Sequence, residues 1–157
     1  MTKVFVAAVA LLARREHGYE ELAQKLTKKG FASADILVAL TECQRLELQS
    51  DRRFVEILLR ARIRQGYGPE RVRNELRQKQ VDRALLEQVL ADDPVDWTAH
   101  ALQVLQKKYK SLGPKTYAEQ QKQKQFLLYR GFPNHTIAQA FEQRIDAINT
   151  SKHDEYS

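Results

Sequence analysis

The chain repeats itself about every fifty residues, and a period of that length limits the possible folds more than any single motif does. Laid on itself at an offset of 50, Gly18 meets Gly68, Leu22 meets Val72 and Leu26 meets Leu76. Phe31, Ile36 and Leu40 meet Val81, Leu86 and Leu90 in the same frame. At an offset of 101, Lys29-Gly30-Phe31 returns as Arg130-Gly131-Phe132, Leu26 as Leu127, Ile36 as Ile137 and Leu40 as Phe141. Three copies of one small unit are therefore expected.

The apolar spacing within each copy is that of a helix face, and sustained period-two alternation and hairpin dipeptides are missing. The spacing predicts nine helices, at 3–15, 19–28, 33–45, 51–64, 69–79, 82–91, 95–109, 116–129 and 134–148. Ser50 or Asp51 is expected to cap the fourth and Asp82 the sixth, since a short oxygen-bearing side chain accepts from first-turn amides. Pro69 suits the opening turn of the fifth, where its missing N–H is no loss. Gly30 and Gly131 each end a middle helix, where a left-handed residue closes the last carbonyls. Gln80 stands at that place in the second copy, so a strained or differently shaped turn is expected there. The fold class expected is all-α: three tandem three-helix, helix-turn-helix-like repeats in an elongated curved array. Their bounds are 1–45, 46–93 and 94–149, followed by a polar tail, 150–157, expected to be disordered.

Several functions are disfavoured by what the residues do not offer. His17, His100, His135 and His153 are scattered, none at the i, i+4 spacing of a helical zinc site, and Cys43 is alone. Phosphate-loop and dinucleotide glycine signatures are missing, and Asp92-Asp93 reads as a helix end before Pro94. The expectation is a protein with no catalytic residues, no cofactor and no metal. A lone cysteine fits a reducing cytoplasm. The apolar opening from Val4 to Ala13 resembles a short signal peptide, yet Phe5, Val9 and Leu12 share a helix face and the stretch runs into Arg14-Arg15. It is read as the first helix, and no stretch reaches the ~20 apolar residues of a membrane span.

Charge then points to a class of partner. The formal net charge is +6, but it is uneven. Residues 52–83 carry ten basic side chains against four acidic, and residues 107–130 carry seven against Glu119 alone. Two such zones suggest an anionic partner. A helix-turn-helix reader would put positive charge on its last helix. The stretch Asp82–Ala91 is instead apolar and acidic, so base-specific reading through it is disfavoured. Backbone contact with single- or double-stranded DNA needs only accessible positive charge and stays open.

The densest local feature is the turn Gly66-Tyr67-Gly68-Pro69, flanked by Arg60, Arg64, Arg71, Arg73 and Arg77. Tyr67 is read as a plug between helices. The run Gly66-Tyr67-Gly68-Pro69-x-Arg71-Val72-Arg73-x-Glu75-Leu76, preceded by Asp51-x-Arg53-Phe54-Val55, resembles the RecX regulatory proteins of bacteria. So does Phe126-Leu127-Leu128-Tyr129-Arg130-Gly131-Phe132. The resemblance covers roughly residues 5–142. Three positions depart from the family pattern: Ser50-Asp51 where an acidic pair is common, Gln125 where a basic residue is common, and Gln80 in place of glycine.

The resemblance implies a cytoplasmic, non-enzymatic modulator, mainly an inhibitor, of the RecA recombinase, and the chain is expected to be a monomer. It would lodge three-helix repeats in the groove of the RecA–DNA filament, and so act on recombination, co-protease activity and the SOS response. The alternative is a non-specific DNA-binding protein that acts on DNA directly. Charge density places the expected grip on Arg60, Arg64, Arg71, Arg73 and Arg77, assisted by Lys122, Lys124 and Arg130.

Overall fold

The structure, a computed structural model, describes the backbone of residues 1–110 and 113–156, and the side chains of the same residues up to 145. Among the described residues it is all helical. The helices are α1 (Lys3–Arg14), α2 (Tyr19–Lys28), α3 (Ser33–Arg45), α4 (Asp51–Arg64), α5 (Pro69–Gln78), α6 (Arg83–Asp92), α7 (Trp97–Lys108), α8 (Tyr117–Tyr129) and α9 (Asn134–Tyr156). None of them is long and apolar enough to cross a membrane.

The helices start where short polar side chains meet first-turn amides. Thr2, Asp82, Asp96 and Thr116 cap α1, α6, α7 and α8, accepting from Phe5, Ala84, Ala99 and Glu119. At α4 the cap is Ser50, whose Oγ accepts from the Arg53 amide at 3.2 Å. Asp51 works elsewhere. Its Oδ1 accepts from the Tyr19 amide at 2.8 Å and from Gln49 Nε2 at 2.9 Å. It thereby serves the first turn of α2, whose own cap position is the side-chain-free Gly18.

The helix ends close by one shared device. Gly30, Gly66 and Gly131 have φ of 95°, 83° and 98°, and the next amide bonds a carbonyl five residues back: Phe31 to Leu26, Tyr67 to Arg62, Phe132 to Leu127. Gln80 fills the same role at φ 56°, with Val81 bonded to Leu76 at 3.0 Å. The second copy therefore keeps the shape of its turn and carries the left-handed strain on a glutamine. Glu47, at φ 60°, closes α3 likewise.

The chain divides into two compact units. Unit one is Met1–Arg60 with Arg73–Pro94; unit two is Ala61–Val72 with the chain from Val95 onward. In unit one, α1 packs chiefly on α3, around Val4, Ala8, Leu11, Leu22, Leu26, Ile36, Leu40 and Cys43. Phe54, Val55, Leu58, Leu59, Leu76, Val81, Leu86 and Val89 are buried in the same unit. In unit two, α7 packs chiefly on α9, and the core is Ala101, Leu105, Leu127, Phe132, Ile137, Ala140 and Phe141. Most of the apolar positions matched by the repeat are thus core positions.

Two places depart from the sequence reading. Position for position, Leu22 and Cys43 of the first copy become Gln123 and Arg144 in the third, and both are 4% exposed. Arg144 Nη1 donates to Gln123 Oε1 at 3.0 Å and Nη2 to the Tyr109 carbonyl at 3.3 Å, so a polar pair replaces an apolar one inside a core. The second departure is the tail. The backbone of α9 continues helically through 150–156, where composition gave the expectation of disorder. Extending a helix costs far less than nucleating one, and no glycine or proline follows Pro133 to stop it. Ser157 lies outside the described residues.

Candidate functional site

The Gly66-Tyr67-Gly68-Pro69 turn joins α4 to α5, and in unit two it meets the end of α8 backbone to backbone. The Gly68 amide donates to the Arg130 carbonyl at 2.8 Å, and the Glu70 amide donates to the Gly131 carbonyl at 2.9 Å. The unpaired carbonyls at the end of α8 thus satisfy unpaired amides at the start of α5, and opposite helix-dipole ends meet. Only glycine permits this approach. A Cβ on Gly68 would lie 2.5 Å from the Gly131 carbonyl oxygen, and one on Gly131 would lie 2.7 Å from the Arg71 nitrogen.

Tyr67 is half-buried at this junction. Arg71 lies over its ring with Cζ 4.2 Å from the centroid, and Arg130 with Cζ at 5.1 Å. Arg130 also donates to the Gln65 carbonyl at 3.0 Å. His100 Nε2 lies 3.1 Å from the Tyr67 carbonyl, and its ring stands between Trp97 and Phe132 at 6.0 and 5.5 Å. Burial lowers the pKa of His100 from 6.5, with the Tyr67 bond opposing. Neutral imidazole then carries its proton on Nε2, facing that carbonyl. Arg71 and Arg130, expected as partner contacts, therefore also brace the turn. Arg71 remains exposed as a residue.

The other expected contacts differ in how far they are already neutralised. In unit one, Arg73 pairs with Glu87 at 3.2 Å and Arg77 bonds the Asn74 side chain. Unit one pairs many of its cations in this way: Arg15 and Lys79 share Glu21, Arg52 bridges Glu56 and Asp92, and Arg53 meets Glu16. Burial alone would raise the pKa of Glu21, but the bonds from Arg15 and Lys79 override it and hold the carboxyl at about 2. Of the expected contacts in this unit, Arg60 is exposed and has no bonded partner among the described residues.

In unit two the pattern is different. Arg64 and Lys122 are exposed with no hydrogen bond or ion pair among the described residues, and Lys124 Nζ lies 5.5 Å over the Phe141 ring. Lys107 and Lys108, at the end of α7, share the neighbourhood of Arg64 and Arg130, lining one cleft with them. The sequence reading counted them in a basic zone without naming them. Their position three to four residues after Val104, on the α7 face that leads to Arg64, was the available signal.

These features define a class: a protein of tandem three-helix domains that carries both paired and accessible cations on its surface. The first, second and third three-helix domains of RecX match residues 5–43, 50–90 and 95–141. The "Regulatory protein RecX" of Legionella pneumophila (strain Corby) is 48% identical over 143 residues, which span 91% of this chain and 95% of the relative. That of Vibrio parahaemolyticus serotype O3:K6 is 40% identical over 134 residues, 85% of this chain and 86% of the relative. The crystal structure of RecX from Lactobacillus salivarius superimposes with a TM-score of 0.78 at 22% identity, covering 94% of this chain and 96% of that one. The chain belongs to the RecX family of regulatory proteins.

Proposed function

We propose that this chain is a cytoplasmic, non-enzymatic regulator of the RecA recombinase, binding its filament on DNA and mainly inhibiting its recombination, ATPase and co-protease activities. The observation that carries the reading is the match of all three RecX domains, in order, over residues 5–141. The charge pattern supports it, because a protein filament on DNA presents acidic side chains and phosphates along a groove. Several exposed cations on one chain add weak contacts into firm binding without a deep pocket.

The test is RecA ATPase on single-stranded DNA with increasing amounts of this protein. Inhibition at stoichiometric amounts is expected, and full activity at that ratio would reject the proposal. Within it, Arg73→Glu combined with Arg77→Glu is expected to weaken inhibition far more than either change alone, since each reversal adds repulsion. Arg73 also gives up its pair with Glu87, but that pair is solvent-exposed and worth at most ~1 kcal/mol, so the double variant stays folded. A folded double variant that inhibits like the parent moves the grip to Arg64, Lys122, Lys124 and Arg130.

A further inference from the structure

On α3, Ile36, Ala39, Leu40 and Cys43 face the core of unit one, whereas Leu37 and Val38 point away from it, 58% and 69% exposed. A lone apolar side chain on a surface calls for no explanation. The register of the repeat makes this pair different. The same two positions are Glu87 and Gln88 in the second copy and Ala138 and Gln139 in the third, so the outward Leu–Val pair is peculiar to the first. Leu46 and Leu48, exposed just past the end of α3, lengthen the apolar stretch.

The charge around this face is the reverse of the chain's. Residues 31–49 carry Asp35, Glu42 and Glu47 against Arg45 alone, in a chain whose formal net charge is +6. Asp35 and Glu42, three residues before and four after, flank Val38 along one row of the helix. Arg45 is bonded to Glu42, while Asp35 and Glu47 have no ion pair among the described residues. Such a face repels phosphate and acidic polypeptide alike. What it fits is a surface with an apolar floor and a border of cations.

Unit two of the same chain carries that surface. The last turns of α4, α7 and α8 enclose a cleft of about 570 Å³, with room for both side chains. Its apolar floor is Ile63, Val104 and Phe126. Its charge comes from Arg64, Lys107, Lys108 and Arg130, and no carboxylate lines it. Lys108 Nζ and Arg130 Cζ lie 6.0 and 5.2 Å from the centroid of the Phe126 ring. The cations thus border the floor as the carboxylates border Val38.

We propose that a second copy of this chain covers the α3 face: Leu37 and Val38 of one copy enter the unit-two cleft of the next, and Asp35 and Glu42 meet its cations. The two surfaces differ, so the contact is head-to-tail and leaves one α3 face and one cleft free for a further copy. A helix face in a cleft buries less than the ~1,200 Å² of a stable interface, so association is weak, with a Kd of roughly 0.1 mM, and dilute chains stay apart.

The test is sedimentation velocity of the nuclease-treated full chain from about 10 µM to about 1 mM, which brackets that Kd. At low salt the weight-average coefficient is expected to rise with concentration past the dimer value. At ~0.5 M salt the apparent Kd is expected to weaken severalfold as the charge contacts are screened. Leu37→Ala with Val38→Gln gives the first copy the residues of the third and leaves the charge unchanged; it is expected to weaken association about tenfold or more. Arg64→Glu with Lys107→Glu is expected to do the same from the cleft side. Between them these two variants keep one intact α3 face and one intact cleft, so their equimolar mixture is expected to form a dimer that grows no further. All the substituted residues are exposed, so melting temperatures are expected to match the parent's. Lys107→Glu with Lys108→Glu replaces the first cleft pair if that one misfolds. A parent that stays monomeric to about 1 mM overturns the proposal, and so does an α3 variant that associates like the parent. Association that survives the cleft variant, or a mixture that stays monomeric, overturns it as well, by placing the α3 face against some other surface. RecA inhibition is read at concentrations far below this range, so either result leaves the proposed function to its own assay.

Discussion

Gly68 is needed for a reason that differs from the usual one for turn glycines, and Gly131 for that reason together with the usual one. Gly30 has φ of 95° with nothing within 4 Å of an added Cβ, so alanine there bears only the left-handed penalty of about 1–2 kcal/mol. Gly68 has no such backbone angle; its problem is space, because the atoms 2.5–2.8 Å from an added Cβ are backbone and cannot rotate away. Gly68→Ala must push the turn off the end of α8 and break the amide bonds of Gly68 and Glu70. The expected loss is about 3–5 kcal/mol, from ~1–3 for overpacking and about 1 for each lost bond. Urea unfolding of the two alanine variants checks this. Equal losses at Gly30 and Gly68 would mean that the close approach carries no energetic weight.

At the scale of elements, the helices were largely legible because apolar spacing and capping residues act locally. The observed bounds fall within about two residues of those read from sequence, α9 apart. What escaped is what acts across elements. Of the two residues expected to cap α4, Ser50 does so, whereas Asp51 serves α2, 32 residues earlier, which no local rule reveals. Arg73 was expected as a partner contact, and its carboxylate neighbour, Glu87, lies on the next helix. Gln123 and Arg144 look like surface residues by type, and only their register with Leu22 and Cys43 marks them as interior. The expected distortion at Gln80 has a measurable counterpart. The turn keeps its shape, so the cost lies in the backbone angle alone, and Gln80→Gly is expected to stabilise the chain by about 0.5–1 kcal/mol. That is the relief of ~1–2 kcal/mol of left-handed strain less the entropy that glycine loses on folding. A melting temperature raised by a few degrees is the expected reading, and a lowered one would place a stabilising contact on the Gln80 side chain.

For the whole molecule, acid sensitivity follows from a buried histidine in unit one and a half-buried one in unit two. His17 is 1% exposed, with Nδ1 3.0 Å from the Arg15 carbonyl and Nε2 2.9 Å from Lys25 Nζ. Burial lowers its pKa from 6.5, and the charges of Arg15 and Lys25 add to the effect while the Arg15 carbonyl and Glu21 oppose it. His100 is lowered for the same first cause. A cationic group with a depressed folded pKa binds protons more readily when unfolded, so stability is full above about 6.5 and falls as pH drops through the folded values. Glu21 titrates lower, near 2, and its contribution is kept until the pH falls below about 4.5. The urea midpoint is therefore expected to fall between pH 7.5 and 5.5, and His17→Gln to shrink that fall. An undiminished fall in the variant would assign the acid limb to His100 and other groups. The mutual capping of α5 and α8 has a consequence for ancestry. In sequence the repeat boundary lies near Pro94, yet Gly68 and Glu70 find their acceptors on the far side of it. A gene shortened at that boundary would encode a second repeat with its opening amides unanswered. The unit that can be copied and the unit that can fold are out of step by half a repeat, so gain or loss of a repeat requires its neighbour to change with it.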